Sequence, residues 1–228
     1  MPGHSQQESD RRTFIATLAA SSAALAAGSI ALGLDSRPAL AEGADVTSPM
    51  SEAWLAKLTG KHKQFFDATS SNQFAPVFAM NFLNSNNDTY KLPDSSISAV
   101  VGLRHFALPM ALTDDIWSRY KVGEFTGTID PATKAPAQRN IFYHPHEGDI
   151  MFPTSAIDKL IDRGVQFTAC NVALTVLSGV LSKNAGVTPE QAKKEWVAGL
   201  IPGVVLVPSG VLAVNRAQER GCTYCSGG

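Results

Sequence analysis

Two unbroken apolar runs constrain what this chain can fold into: Ile97–Leu103 and Val204–Val207. A strand with one wet face alternates apolar and polar residues, so a continuous run needs cover on both faces. Residues 64–67 (Gln-Phe-Phe-Asp) read as a shorter first strand, and residues 165–169 (Val-Gln-Phe-Thr-Ala) as another. Helical patterns separate these runs. Parallel neighbours require a crossover, usually a helix, so the alternation predicts a parallel sheet covered by helices.

The helices are read from spacing and caps. A short one over 51–58 carries Trp54, Leu55 and Leu58 on one face. Phe74, Val77, Phe78, Asn81 and Phe82 recur at three and four residues, and Asn84 to Asn87 end that helix. A third spans 107–120, with Pro109 in its first turn. Ser155 caps a helix over 155–162, which Gly164 stops. Leu174, Leu177, Val180 and Leu181 form the stripe of a helix over 172–183. Thr188 and Pro189 open another, and Pro208-Ser209-Gly210 turns into a helix over 211–220, ended by Gly221. Residues 222–224 can form an edge strand. The expected class is α/β, a mostly parallel sheet of about five strands with helices on both faces. A flavodoxin-like strand order is the topological expectation.

The front of the chain reads as an address. Asp10-Arg11-Arg12-Thr13-Phe14-Ile15 resembles a twin-arginine export signal, an Ala/Gly-rich run follows, and Ala39-Leu40-Ala41 offers a signal-peptidase pattern. Residues 1–41 are therefore expected to be removed, 42–61 to form a lead-in and 62–228 one domain, with the mature protein periplasmic and free of membrane. Removing 41 of the 228 residues leaves 187, enough for one full core. Residues 121–154 interrupt the alternation; they are dense in Gly, Pro and Thr, show no period, and are punctuated by Phe125, Phe142, Tyr143 and Phe152. Structured excursions of that length are usually functional or oligomeric. The net charge is −1 with no basic patch, which argues against a nucleic-acid partner.

The carboxyl ends of parallel strands share one rim, and ligand crevices open there. That rim collects Asp67, Ser70, Ser71 and Asn72 after the first strand and Arg104 and His105 after the second. Cys170 and Asn171 follow the third, and Ser209 and Gly210 the fourth. Polar loops also serve solubility, but the set suits a small anionic ligand. Cys170 stands out, because a thiol at a helix N-terminus is favoured as thiolate. Free cysteine also packs as a small hydrophobe, so both roles stand open. His105 is either an acid–base group beside that thiol or a structural loop residue.

Other groups are weaker. His144, His146, Glu147 and Asp149 lie close in sequence, yet Pro145 forbids the helical spacing of zinc-peptidase motifs, and a solvated loop is expected rather than a metal site. Cys222 and Cys225 form a C-x-x-C without the following His of haem attachment; they follow a helix, where redox pairs usually precede one. They stand as a redox pair, a disulfide, or buried edge-strand residues beside a flexible 226–228 tail. No dinucleotide fingerprint, Walker A motif or nucleophile elbow appears.

Three stretches resemble the DsrE/DsrF-like sulfur-relay superfamily. They are Gly164-Val165-Gln166-Phe167-Thr168-Ala169-Cys170-Asn171, then Pro202-Gly203-Val204-Val205-Leu206-Val207-Pro208-Ser209-Gly210-Val211, and finally Arg216-Ala217-Gln218-Glu219-Arg220-Gly221-Cys222-Thr223-Tyr224. The likeness is strongest over residues 155–225, extends in outline from residue 62, and is absent from 121–154. It implies a small α/β sandwich assembled as a homotrimer or hexamer. In relay members a cysteine matching Cys170 carries a persulfide, with no other cofactor. The chain departs from those cytoplasmic relays in its export signal and its insert. The function implied is binding or transfer of sulfane sulfur through Cys170, with Arg104 or His105 tuning its charge. The alternative is a non-catalytic ligand-binding or assembly module.

Overall fold

The computed structural model of the protein describes residues 52–228. The expected export signal, residues 1–41, and residues 42–51 of the expected lead-in lie outside the described residues.

Five parallel strands form one sheet: β1 (His62–Ala68), β2 (Ile97–Leu103), β3 (Gln166–Cys170), β4 (Val204–Val207) and β5 (Thr223–Ser226). Their order is β4-β3-β2-β1-β5. This corrects the flavodoxin-like order. Each of the first three connections moves one place in the same direction, and only the last returns to the far edge beside β1.

That order decides how the faces are covered. Crossovers of one hand that step in one direction lay their helices on one face, and a step back lays its helix on the other. The first face accordingly carries α1 (Phe74–Tyr90), α2 (Asp114–Arg119), α4 (Ile157–Asp162), α5 (Asn171–Leu181) and α6 (Pro189–Ala198). Leu83, Trp117, Leu160, Leu174 and Trp196 pack there with Phe66, Val101 and Phe167. Among the described residues, the second face has only α7 (Gly210–Glu219) and a 3-10 helix, Glu52–Lys57. Its core is small: Trp54, Leu55, Leu58, Ala213, Ala217 and Cys222 over Phe65, Val100 and Val207. β2 lies under both layers and all seven of its residues are buried, as its unbroken apolar run requires.

Several elements differ from expectation. α1 runs on to Tyr90 and stops at Lys91, whose φ of 55° is left-handed. Its buried stripe is Ala75, Pro76, Ala79, Leu83 and Asn86, while Phe74 and Phe78 are exposed and stacked on each other. Small residues are needed underneath: a Cβ on Gly227 would come within 2.4 Å of the Ala75 Cβ. The helix expected over 107–120 is instead a 3-10 turn, His105–Ala111, followed by α2. A continuous helix would use the carbonyls of Met110 and Leu112, but both accept from Asn140 Nδ2 at 2.8 Å. Ser155 caps nothing on α4; its hydroxyl donates to the Phe152 carbonyl and accepts from Gln73. Val180 is exposed rather than part of the α5 stripe. Residues 226–228 are no loose tail: Ser226 ends β5, and Gly227 N donates to the Asp67 carbonyl at 2.9 Å.

The insert contains one short helix, α3 (Val122–Thr126), an isolated antiparallel bridge between Ile129 and Pro136, turns, and a 3-10 turn, Pro153–Ser155, at its end. Charges hold it together. Asp149 accepts from Arg139 at 2.6 and 2.7 Å, and Asp130 accepts from the amides of Ala132 and Thr133. His144 Nδ1 meets Asp158 on α4 at 3.0 Å. Arg139 holds the Asp149 carboxyl below its usual range, and two backbone amides do the same for Asp130. Burial works against ionisation of Asp158, but the bond to His144 and that ring's charge outweigh it. Depressed folded values mean stabilisation that is present above the unfolded carboxylate pKa of about 4 and is lost as pH falls through the folded values. The insert is therefore expected to loosen first in acid. Hydrogen exchange corrected for intrinsic rates should show residues 128–158 losing protection below about pH 4 while β2 and β3 keep theirs. Simultaneous loss in both regions would contradict this.

Among the described residues, no helix is long and apolar enough to cross a membrane.

Candidate functional site

The strand order also locates the crevice. Connections leave β1, β2 and β3 toward the first face, whereas the connection after β4 leaves toward the second. The switch therefore falls between the carboxyl ends of β3 and β4, and ligands of open α/β sheets bind at such a point. Cys170 ends β3 in register with Val207, and Pro208, Ser209 and Gly210 follow directly. Cys170, Asn171, Ser209 and Gly210 are thus brought to one place.

Cys170 is the N-cap of α5, and its Sγ accepts from the Ala173 amide at 3.4 Å. That length is normal for sulfur, and the geometry sets the atom against the positive end of an eleven-residue helix. The residue is 6% exposed and touches the first-face core. Asn171 is half-buried as the first residue of α5. Ser209 precedes α7 in an extended conformation without capping it by its side chain.

Arg104 stands one residue beyond the Leu103–Ala169 pair, beside Cys170 on the neighbouring strand. Its guanidinium grips Asp67 in two parallel bonds, Nε to Oδ1 and Nη2 to Oδ2, each 2.7 Å. Asp67 is 2% exposed, and charge-assisted pairing is what makes its burial tolerable. A third group completes the set: Tyr224 on β5 donates its hydroxyl to Asp67 Oδ2 at 2.9 Å. The Arg104 pKa is raised, chiefly by the Asp67 bond, and the charges of Tyr224 and Cys170 add to it. Burial, then the Asp67 bond, push the Tyr224 phenol up as well. The Arg104 stem crosses the start of α7, where a Cβ on Gly210 would lie 2.6 Å from Arg104 Cβ and 2.8 Å from Cδ. Glycine is required there by close approach.

The remaining candidates lie apart from this cluster. Ser71 donates to the Phe106 carbonyl at 2.5 Å, and Asn72 Oδ1 accepts the Phe74 amide at the start of α1. Ser70 is exposed and its carbonyl closes the turn to Asn72. These three shape the loop after β1. His105 is exposed, holds a left-handed φ of 52°, and lays its ring against Phe106, with centroids 4.2 Å apart.

Cys222, just before β5, and Cys225 within it are both free thiols, and they point to opposite faces of the sheet. Cys222 packs in the second-face core, where burial raises its pKa, and Cys225 packs against the first. Side chains three apart on a strand point to opposite sides, so the structure does not bring the pair together. The histidines of the insert also diverge: His144 turns to Asp158, and Asp149 is occupied by Arg139. Among the described residues, no three His, Cys, Asp or Glu side chains are placed to hold a metal ion.

Sequence reasoning missed Tyr224, which reads only as a member of an edge strand. Its alliance with Asp67 depends on β5 returning to lie beside β1, and no local pattern encodes that.

No family model matches the chain, and no curated protein matches it. Among solved structures, a protein of unknown function from Methanobacterium thermoautotrophicum, MTH1491, is similar at 18% identity with a TM-score of 0.37. The match covers 73% of this chain and 99% of that one.

Proposed function

We propose that the protein is a carrier of sulfane sulfur whose working group is the Cys170 thiol. The observation that supports this most is the position of Sγ: at the switch point of the sheet and against a helix N-terminus. In the reaction, the Cys170 thiolate attacks a terminal sulfur of a polysulfide. A Cys–S bond forms, the donor's own S–S bond breaks, and the electron pair leaves with the shortened polysulfide. The persulfide passes its outer sulfur to an acceptor thiolate by the same exchange, which restores Cys170. Arg104 balances the charge, and the amides around Asn171, Ser209 and Gly210 line the crevice. The resemblance of residues 10–15 to an export signal and of three later stretches to DsrE-like proteins supports a periplasmic homo-oligomer that works without other cofactor.

The test is intact mass after exposure to polysulfide. Wild-type protein should gain about 32 Da per sulfur atom carried, and Cys170→Ala should lose that gain while Cys222→Ala and Cys225→Ala keep it. An adduct undiminished in Cys170→Ala overturns the reading.

A second reading has its own observation. Cys170 is almost covered, while Val172, Val176 and Val180 stand exposed along one edge of α5. An exposed apolar ridge suits a subunit interface, and the domain is then an assembly or ligand-binding module with a silent thiol. In that case native Cys170 resists alkylation, and Val176→Glu lowers the mass found by light scattering.

A further inference from the structure

α1 turns its large side chains outward. Its buried stripe is mostly small, whereas Phe74 and Phe78 are 58% and 38% exposed and stack with centroids 6.1 Å apart. The end of the insert lies beside them. Gln73, the N-cap residue of α1, accepts the Met151 amide at 3.1 Å and donates to the Phe152 carbonyl at 3.2 Å. Met151 and Phe152 are themselves 80% and 43% exposed. Four large apolar side chains thus gather at the amino end of α1, fixed through one amide. Their surroundings are uncharged. No charged residue occurs between Asp67 and Asp88, so the outer side of α1 continues from Phe74 and Phe78 to Asn81 and Ser85. The solvent face of a helix normally carries charges. The centre of a protein interface is depleted in them and enriched in aromatics and Met.

We propose that this face binds a second copy of the chain across a two-fold axis near Phe78, with α1 packed against the α1 of the other copy. The proposal rests on the self-association in the reading above, and not on its sulfur chemistry. Area favours this occupant. At about 200 Å² for a large side chain, the four exposures amount to on the order of 400 Å² of apolar surface. A standard interface takes about 800 Å² from each partner, somewhat over half of it apolar, so one patch supplies nearly what one side of a stable dimer needs. A two-fold contact uses the same patch twice. Phe74 and Phe78 of both copies then meet at its centre, and Asn81 and Ser85 lie on its rim. Charge points the same way: a strongly charged partner finds no countercharge on this face, and a net charge of −1 sets little repulsion between copies.

The experiment measures the mass of the full chain in solution by light scattering and sedimentation. Phe78→Glu buries a charge in the proposed contact and should halve the wild-type mass, because losing a two-fold contact splits any assembly built on it into equal halves. Phe78→Ala should raise the dissociation constant of that step about 30-fold, as removal of a central aromatic anchor does. It introduces no charge, so it gives the same reading if Phe78→Glu does not fold. Interfaces of this size hold at micromolar concentration or tighter, so wild-type protein that remains a single copy at about 100 μM overturns the proposal, whatever else the patch binds. A mass unchanged in both Phe78 variants overturns it too, as does a mass lowered by Val176→Glu and not by Phe78→Glu. Sulfur loading of Cys170 is measured separately: its absence removes the carrier reading and leaves the masses standing.

Discussion

Arg104→Ala is expected to lower the unfolding free energy by about 3 kcal/mol, at the low end for a broken buried pair because the guanidinium is 30% exposed. The loss does not come from the attraction between the two charges alone. Asp67 remains 2% exposed with one phenol for a partner, and a carboxylate in that position must be desolvated without compensation. A double-mutant cycle separates the two contributions. Asp67→Ala removes the stranded charge, so Arg104→Ala combined with Asp67→Ala should cost less than the two single changes added together. The residues touch, so additivity has no reason to hold. Urea denaturation of the four proteins measures the coupling. A loss below about 1 kcal/mol for Arg104→Ala, or strict additivity, would mean that the pair behaves like a surface salt bridge. The result matters for the site, because only a firmly held guanidinium keeps a fixed charge at the carboxyl rim of the sheet.

Trp117→Ala carries the other large effect, about 4 kcal/mol, the range for removing a buried indole from a packed core. Trp117 is fully buried on α2, donates Nε1–H to the Pro109 carbonyl at 2.9 Å, and packs near Phe142 with centroids 6.5 Å apart. It therefore links three things: the 3-10 turn after β2, the first-face core, and the insert. Its loss leaves a cavity and removes one of the two donors to the Pro109 carbonyl, the Leu112 amide remaining. Urea unfolding should register the full destabilisation, and limited proteolysis should cut within residues 128–152 before the sheet unfolds. Trp117→Phe should fall between, since it keeps most of the volume and loses the hydrogen bond. A change under about 1 kcal/mol in Trp117→Ala would show that the pocket collapses around the missing ring.

Much of the fold was legible because it is written in local runs. The β2 run matches its strand at both ends, since burial on both faces leaves no room for a polar residue at its centre, and the β4 run matches its strand as well, although Val204 and Val205 on that edge are only half-buried. Thr188 and Pro189 start α6 as their chemistry requires, with the Thr188 hydroxyl accepting the Gln191 amide. The misreadings share a cause. α1 presents two stripes with helical spacing, and the larger side chains are on the outer one. Close approach to β5 demands alanine beneath, and β5 lies beyond the reach of any local window. The 107–120 segment breaks because Asn140, about 30 residues away, takes its carbonyls. Ser155 reads as a cap but is engaged by Gln73 from α1.

The candidate site divides in the same way. By itself the sequence determined that Cys170 ends a buried strand and starts a helix, because residue hydrophobicity and helix periodicity change over at that point. It also determined that Arg104, Ser209 and Gly210 end their own strands. Only the tertiary structure decided which of these ends are neighbours. Pairing of strands is a contact between edges far apart in sequence, and the period-2 and period-3.6 patterns that specify each element carry no label for its partner. The order β4-β3-β2-β1-β5 moved the switch point to the gap beside Cys170, laid Arg104 against Gly210, and returned β5 to β1 so that Tyr224 reaches Asp67. A thiol at a strand end is a local fact, whereas the strand ends that surround it depend on the order in which the strands are joined.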